Sequence, residues 1–248
     1  MYFYIYDDFV AGKRFEKEMA KIETRLTDLG ISGQVARLAL FRNAQEMIGD
    51  EVRRGLSTVV VVGNDDTIRK VIDAVADNGM TFGIIPLGDS NTIADLLGIP
   101  YGVKACDILS ARIVETIDIG VINGKRFISG VRGNDFTAKI TCDGYSIEPK
   151  TAGRLEVNNL TADDGSQNNR STDPKDGKLD TMIQVHTTSG LMRKRGSGKS
   201  RFSLKFLKID SKDPFSLYVD GGKVTGNEFE IGVQPLGLKL ITGRSRIF

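Results

Sequence analysis

Two polar turns hold the residues with the most chemistry in this chain of 248 residues. The first, Gly63-Asn64-Asp65-Asp66-Thr67, follows the β-branched run Thr58–Val62. The second, Gly88-Asp89-Ser90-Asn91, follows Phe82–Leu87. Each run is long enough for a buried strand and too short for a helix. After the first turn, Ile68, Val71, Ile72 and Val75 recur on one helical face, with Thr67 as the expected cap. A second helix is expected to open at Thr92. Tandem strand–turn–helix units put both turns at the carboxyl edge of a parallel sheet. Ligands bind at that edge, because helix N-termini present unpaired N–H groups there.

The elements that position these turns follow from hydrophobic period. Tyr2–Tyr6 reads as a first strand, ending in Asp7-Asp8. Phe15, Met19, Ile22, Leu26 and Leu29 give an amphipathic helix, stopped by Gly30. Gln34–Leu40 fits a second strand, and Asn43 can cap a helix presenting Met47, Ile48, Val52 and Leu56. This alternation predicts a parallel sheet covered by helices. Val103–Ser110 predicts one more helix. From Ala111 onward the period changes to short runs: Ile113–Ile122, Arg126–Val131, Phe136–Thr141, Leu179–Val185, Phe202–Ile209, Leu217–Val219, Phe229–Val233 and Leu238–Ile241. Turns such as Asn123-Gly124, Asp143-Gly144, Asp176-Gly177 and Asp220-Gly221 divide them. The expectation is an α/β domain over residues 1–112 and an antiparallel β-sandwich over 113–248, with the candidate site in the cleft between them. Whether the last run returns to the first domain stays open.

Composition narrows the function classes. A net charge of +2 is too small to argue for a nucleic-acid partner. Cys106 and Cys142 are too few for a disulfide framework, which implies a reduced, cytoplasmic setting. No apolar run approaches the roughly 20 residues that span a bilayer. The start, MYFYIYDDFV, lacks the basic region of a signal peptide.

The two turns also carry a resemblance. GNDDT at Gly63–Thr67 resembles the GGDGT phosphate turn of the diacylglycerol kinase catalytic family, which includes bacterial lipid kinases and sphingosine kinases. GIIPLGDSNTIADLLGIP at Gly83–Pro100 is similar to that family's more specific second signature, with Pro86, Gly88, Asn91, Ala94, Leu97, Gly98 and Pro100 in place. DPKDGKLD at Asp173–Asp180 and YVDGG at Tyr218–Gly222 resemble its DDGxLD and VDGE turns. The resemblance implies a two-domain lipid kinase that moves a phosphoryl group from ATP, with Mg²⁺, to a lipid hydroxyl. It implies catalytic roles for Asp65 and Asp220 and metal ligation by Asp65 and Asp176. Phosphate would be held by Gly63, Asn64, Asp66, Thr67, Gly88, Asp89, Ser90 and Asn91. Glycines serve such a cradle by letting backbone N–H groups approach phosphate oxygens.

Departures from the pattern open other readings. Asn64 and Asp66 replace glycines, Asp89-Ser90 replaces Thr-Gly, and Gly222 replaces the acid/base Glu. Lys70 stands where the family has an acid, and the first phosphate turn is lost, leaving Asp7-Asp8. Asp7, Asp8, Asp66 and Asp89 thus put carboxylates around a cradle for a polyanion. One uncompensated unit-charge contact at 4 Å repels by about 4 kcal/mol at an effective dielectric near 20, or roughly a thousandfold in affinity. Bound divalent metal would reverse that sign. The alternatives are an inactive relative serving as a binding or scaffold protein, inert capping turns, and an NAD-kinase-like enzyme. The last is disfavoured by the form of Gly83–Pro100.

Other features are weaker. His186, the only histidine, has no zinc-ligand spacing around it. Thr161–Lys175 is polar and reads as a solvated loop. Arg193, Lys194, Arg195, Lys199 and Arg201 crowd one stretch that could meet an anionic membrane, at about 1 kcal/mol per cation. A solvated hairpin is the simpler reading.

Overall fold

A computed structural model describes residues 1–38, 44–142, 144–149, 151–162, 171–189 and 194–248, with backbone alone at 135, 136, 145, 185–189 and 194–197. The chain divides into two compact units, Met1–Ile117 with Leu236–Phe248, and Asp118–Pro235.

In chain order the first unit holds β1 (Tyr2–Asp7), α1 (Glu16–Asp28), β2 (Gln34–Leu38), α2 (Ala44–Arg53), β3 (Thr58–Gly63), α3 (Asp65–Asp77), β4 (Thr81–Pro86), α4 (Thr92–Leu96) and α5 (Ala105–Ala111). β3 lies between β1 and β4, β1 also pairs β2, and every pairing is parallel. Val59–Val62 are fully buried, as the unbroken apolar run requires of a central parallel strand. α2 packs on α3, and α1 on α5.

The second unit is antiparallel. β5 (Val114–Ile122) crosses the boundary and pairs with β6 (Lys125–Phe127). Then follow β7 (Gly130–Phe136), β8 (Lys139–Cys142), β9 (Tyr145–Ile147), β10 (Gly153–Asn158), β11 (Leu179–Ser189), β12 (Lys194–Leu204), β13 (Phe206–Val219) and β14 (Gly222–Ile241). The strands run in the order β12-β11-β10-β7-β13-β14, with the β8–β9 hairpin on β13. Leu155, Val157, Leu179, Ile183, Leu207 and Ile231 belong to its apolar core.

Helical α/β first and antiparallel strands second is the architecture expected from the period change. The strand divisions differ. β14 joins two runs read as separate, Phe229–Val233 and Leu238–Ile241, and turns at Leu236, where φ is +49°. The single run Phe202–Ile209 breaks at Lys205. β10 was not among the expected strands, although Arg154, Leu155, Glu156, Val157 and Asn158 alternate polar and apolar residues. Residues 39–40 of the second strand, the cap Asn43, Asp143 and Arg193 lie outside the described residues.

The end of β14 belongs to the first unit. Lys239 and Leu240 pair in parallel with Thr81 and Phe82, so the last strand-like run does return. Leu238, Leu240 and Ile241 are all buried. Leu240→Ala should therefore destabilise the protein by about 2–5 kcal/mol. The expected result is a lower urea midpoint with unchanged slope.

Candidate functional site

Gly63 ends β3 and leads straight into α3. A Cβ there would sit 2.1 Å from the Thr67 hydroxyl, so only glycine fits. Asn64, not Thr67, is the helix cap. Its Oδ1 accepts from the amides of Asp66 (3.1 Å) and Thr67 (3.2 Å), while its own N–H donates to Thr67 Oγ1 (3.1 Å). This reciprocal box satisfies the donors a helix start leaves unpaired. The remaining first-turn amide, that of Asp65, donates to the Ser90 carbonyl at 2.9 Å. The amides that a phosphate would use are held by the chain itself.

Asp65 braces the second turn. It is 5% exposed, and its carboxylate accepts from the amides of Thr92 (2.9 Å) and Ile93 (3.2 Å), which open α4. Gly88, at φ +79°, leaves no room for a side chain against Phe9, and its N–H donates to the Tyr101 hydroxyl. Asn91 Nδ2 closes the turn on the Gly88 carbonyl at 2.9 Å.

Three of the four expected carboxylates, Asp7, Asp66 and Asp89, face cations. Lys70 Nζ donates to Asp7 Oδ2 at 2.9 Å, and the Thr67 hydroxyl donates to the same oxygen at 2.9 Å. Asp7 is 5% exposed, while the Lys70 side chain stays 53% exposed. Asp66 is paired with Arg69. Asp89 lies 3.6 Å from Arg14, both largely exposed, a contact of little energetic weight. The full repulsion reckoned from unpaired charges is therefore corrected by the cations that face them.

In the second unit Asp220 is also buried, with φ +46°. Its carboxylate accepts from the amides of Ile128 (2.7 Å), Ser129 (2.8 Å) and Gly130 (3.0 Å) and from the Ser129 hydroxyl (2.7 Å). Gly222, where a family member carries Glu, begins β14. Asp176 is exposed and accepts from the Lys178 amide at 2.9 Å. Desolvation raises its pKa, against the lowering effect of that hydrogen bond. Asp118, which the sequence did not single out, is fully buried and accepts from the Gly177 amide at 2.7 Å. The only sequence signal was an acid between Ile117 and Ile119.

A nucleotide triphosphate does not fit the first-turn amides of α3 as they are bonded. Nor does a Mg²⁺ site emerge. Among the described residues no group of three or more His, Cys, Asp and Glu could hold a metal ion. The structure brings Asp65, Asp66, Thr67, Asn64 and the Gly88–Asn91 turn together in the first unit, with Asp176 and Asp220 in the second. Cys106 is buried and its thiol is pushed up to about 11, chiefly by desolvation, so it is no nucleophile. The side chain of His186 lies outside the described residues.

The four donors on Asp220 define a measurable role. Asp220→Ala should cost roughly 3 kcal/mol or more, because it strands buried amides. Asp220→Asn, which keeps one acceptor oxygen, should fall between. Chemical denaturation of the three proteins checks this order.

Comparison with known proteins places the geometry. Residues 2–122 match the family model "Diacylglycerol kinase catalytic domain". A "Diacylglycerol kinase" of Bacillus subtilis is 29% identical over 155 residues, covering 61% of this chain and 51% of that protein. A "Probable lipid kinase YegS-like" of Pseudomonas aeruginosa is 32% identical over 103 residues, covering 41% of this chain and 34% of the relative. The chain thus matches about half or less of these relatives' length. The crystal structure of a diacylglycerol kinase from Bacillus anthracis shares the fold, with a TM-score of 0.77, 17% identity, and coverage of 99% of this chain and 98% of that one. Residues 2–122, just under half of the chain, are thus similar to the diacylglycerol kinase catalytic-domain family, and the fold is that of a solved diacylglycerol kinase.

Proposed function

We propose that this chain keeps the lipid-kinase fold as a binding or scaffold protein and does not transfer phosphoryl groups. One observation carries the reading: the Asn64 side chain occupies the α3 amides that a phosphate would need. Gly222 in place of the family's Glu supports it, since no carboxylate stands there to accept a hydroxyl proton. A lipid bearing a free hydroxyl is the ligand class the family suggests, and the cytoplasm is the proposed setting.

A second reading is an ATP- and Mg²⁺-dependent lipid kinase. It is favoured by Asp65, Thr67 and Asn91, which stand at the family's motif positions. In that case Asn64 would have to release its two amides before phosphate enters. No further step is assigned, because the groups as bonded do not accommodate the nucleotide.

Calorimetric titration with ATP, with and without Mg²⁺, separates the two. Wild type should give no saturable heat at millimolar nucleotide in either condition. Asn64→Gly combined with Asp66→Gly and Asp89→Thr reopens the amides, removes the Asp66 carboxylate and restores a hydroxyl. Binding should strengthen by at least tenfold, about 1.4 kcal/mol. Tight binding by wild type with Mg²⁺, accompanied by phosphorylation of a lipid hydroxyl, would replace the scaffold reading with the kinase one.

Contact with an anionic membrane is a separate part of the proposal. Lys199 and Arg201 are exposed on β12. Binding to anionic vesicles should weaken with salt and after Lys199→Gln with Arg201→Gln. Each cation is worth about 1 kcal/mol near such a surface. Equal co-sedimentation with neutral vesicles would reject an electrostatic mode.

A further inference from the structure

We propose that the face shared by β10, β11 and β12 carries a binding site for a small neutral polyol. The strand register assembles it. Asn158 lies opposite Asp180, which lies opposite Ser203, and Glu156 lies opposite Met182, which lies opposite Arg201. Directly opposed residues share one face of a sheet, so these two rows form a single floor. Thr161 and Thr172, beyond the end of β10, form a wall, and the space enclosed is about 280 Å³. That volume lies at the small end of ligand pockets, which begin near ~300 Å³.

Two observations point to a ligand. The Oγ1 atom of Thr161 is buried without a hydrogen-bond partner among the described residues, and Thr161 lines the cavity. Thr161 is 8% exposed. Such an unpaired buried hydroxyl is unusual and unfavourable, and a ligand hydroxyl would relieve it. The second is the mixture of groups on the floor. Glu156, which is 8% exposed, already pairs with Arg154 at 2.6 Å, and Asp180 accepts from the Ser203 hydroxyl at 2.6 Å.

The chemistry of the lining selects the ligand class. A hydroxyl both donates and accepts. Asp180 and Glu156 accept, Arg201 donates, and Asn158 and the threonines do both. An anion would gain no net positive charge there, because Arg154 is paired with Glu156 and Arg201 is balanced by Asp180. A bare cation would need a cluster of ligands that the described residues do not form. A molecule with several adjacent hydroxyls satisfies both kinds of group at once. None of these residues belongs to the phosphate turns, so the proposal stands independently of the reading given above.

The test is an amide-resolved NMR titration of the full chain with glycerol, glucose and myo-inositol, and with glycerol 3-phosphate as the charged arm. At least one neutral polyol should give saturable shifts confined to residues 158–161, 180–182 and 201–203. Thr161→Val and Asp180→Asn should each weaken that response about tenfold, with circular-dichroism melting confirming an unchanged fold. Should either variant fail to fold, Arg201→Gln on the exposed edge strand takes its place with the same expected loss. Absence of saturable shifts with all three neutral polyols would overturn the proposal and leave the cavity to water. An unchanged response in the folded variants, or a response to glycerol 3-phosphate alone, would overturn it too.

Discussion

A buried carboxylate must find hydrogen-bond donors, and in each unit one aspartate meets that demand by seizing backbone amides. A carboxylate out of water without partners would cost several kcal/mol. Asp65 meets this requirement with the first amides of α4, and its own amide reaches the carbonyl of Ser90. The two turns at the carboxyl edge of the parallel sheet are thereby tied into one object. Asp220 does the same for the segment Ile128–Gly130. Both residues sit at family motif positions, and in both the position is structurally occupied before any chemistry is asked of it.

The same logic governs what the first site can bind. A helix start offers anions its unpaired N–H groups. α3 has the right location, at the exit of a central strand, but Asn64 and Ser90 use the amides. Three of the acids near this edge have recruited cations from different elements: Lys70 and Arg69 from α3, and Arg14 from before α1. Family resemblance and local bonding therefore speak to different questions. The shared fold answers the first, and the hydrogen bonds of the two turns answer the second.

Most of the architecture was legible because it rests on period and turn chemistry. The unbroken valines of β3 could only be a buried strand, and the loss of helical spacing after Ala111 marked the change of class. The candidate turns were found through their glycines. Their bonding was not legible. Thr67 and Asn64 are both good caps by type, and only the geometry shows that Asn64 caps while Thr67 sits three residues on, closing the box. Asp7 and Lys70 looked like two unrelated departures from a family pattern, 63 residues apart, yet they form one ion pair. Asp118 escaped notice because an acid within an apolar run gives no hint of the amide it will meet. β10 was missed although Arg154–Asn158 alternates polar and apolar residues as a strand should, and its polar Glu156 is nonetheless buried through its pairing with Arg154.

The return of β14 to the first unit has a consequence for synthesis. β4 emerges from the ribosome early, but the strand that covers its free edge includes Lys239 and Leu240. At about 5–20 residues per second, that edge waits roughly ten to thirty seconds for its partner. Throughout the interval β4, paired with β3 on one side, keeps its other edge open, the kind of surface that chaperones engage. The whole second unit is translated while the first is still open. Completion of the α/β sheet thus waits for the synthesis of Leu238–Ile241, and nascent chains stalled before Leu238 would carry an incomplete first sheet and a nearly complete β unit.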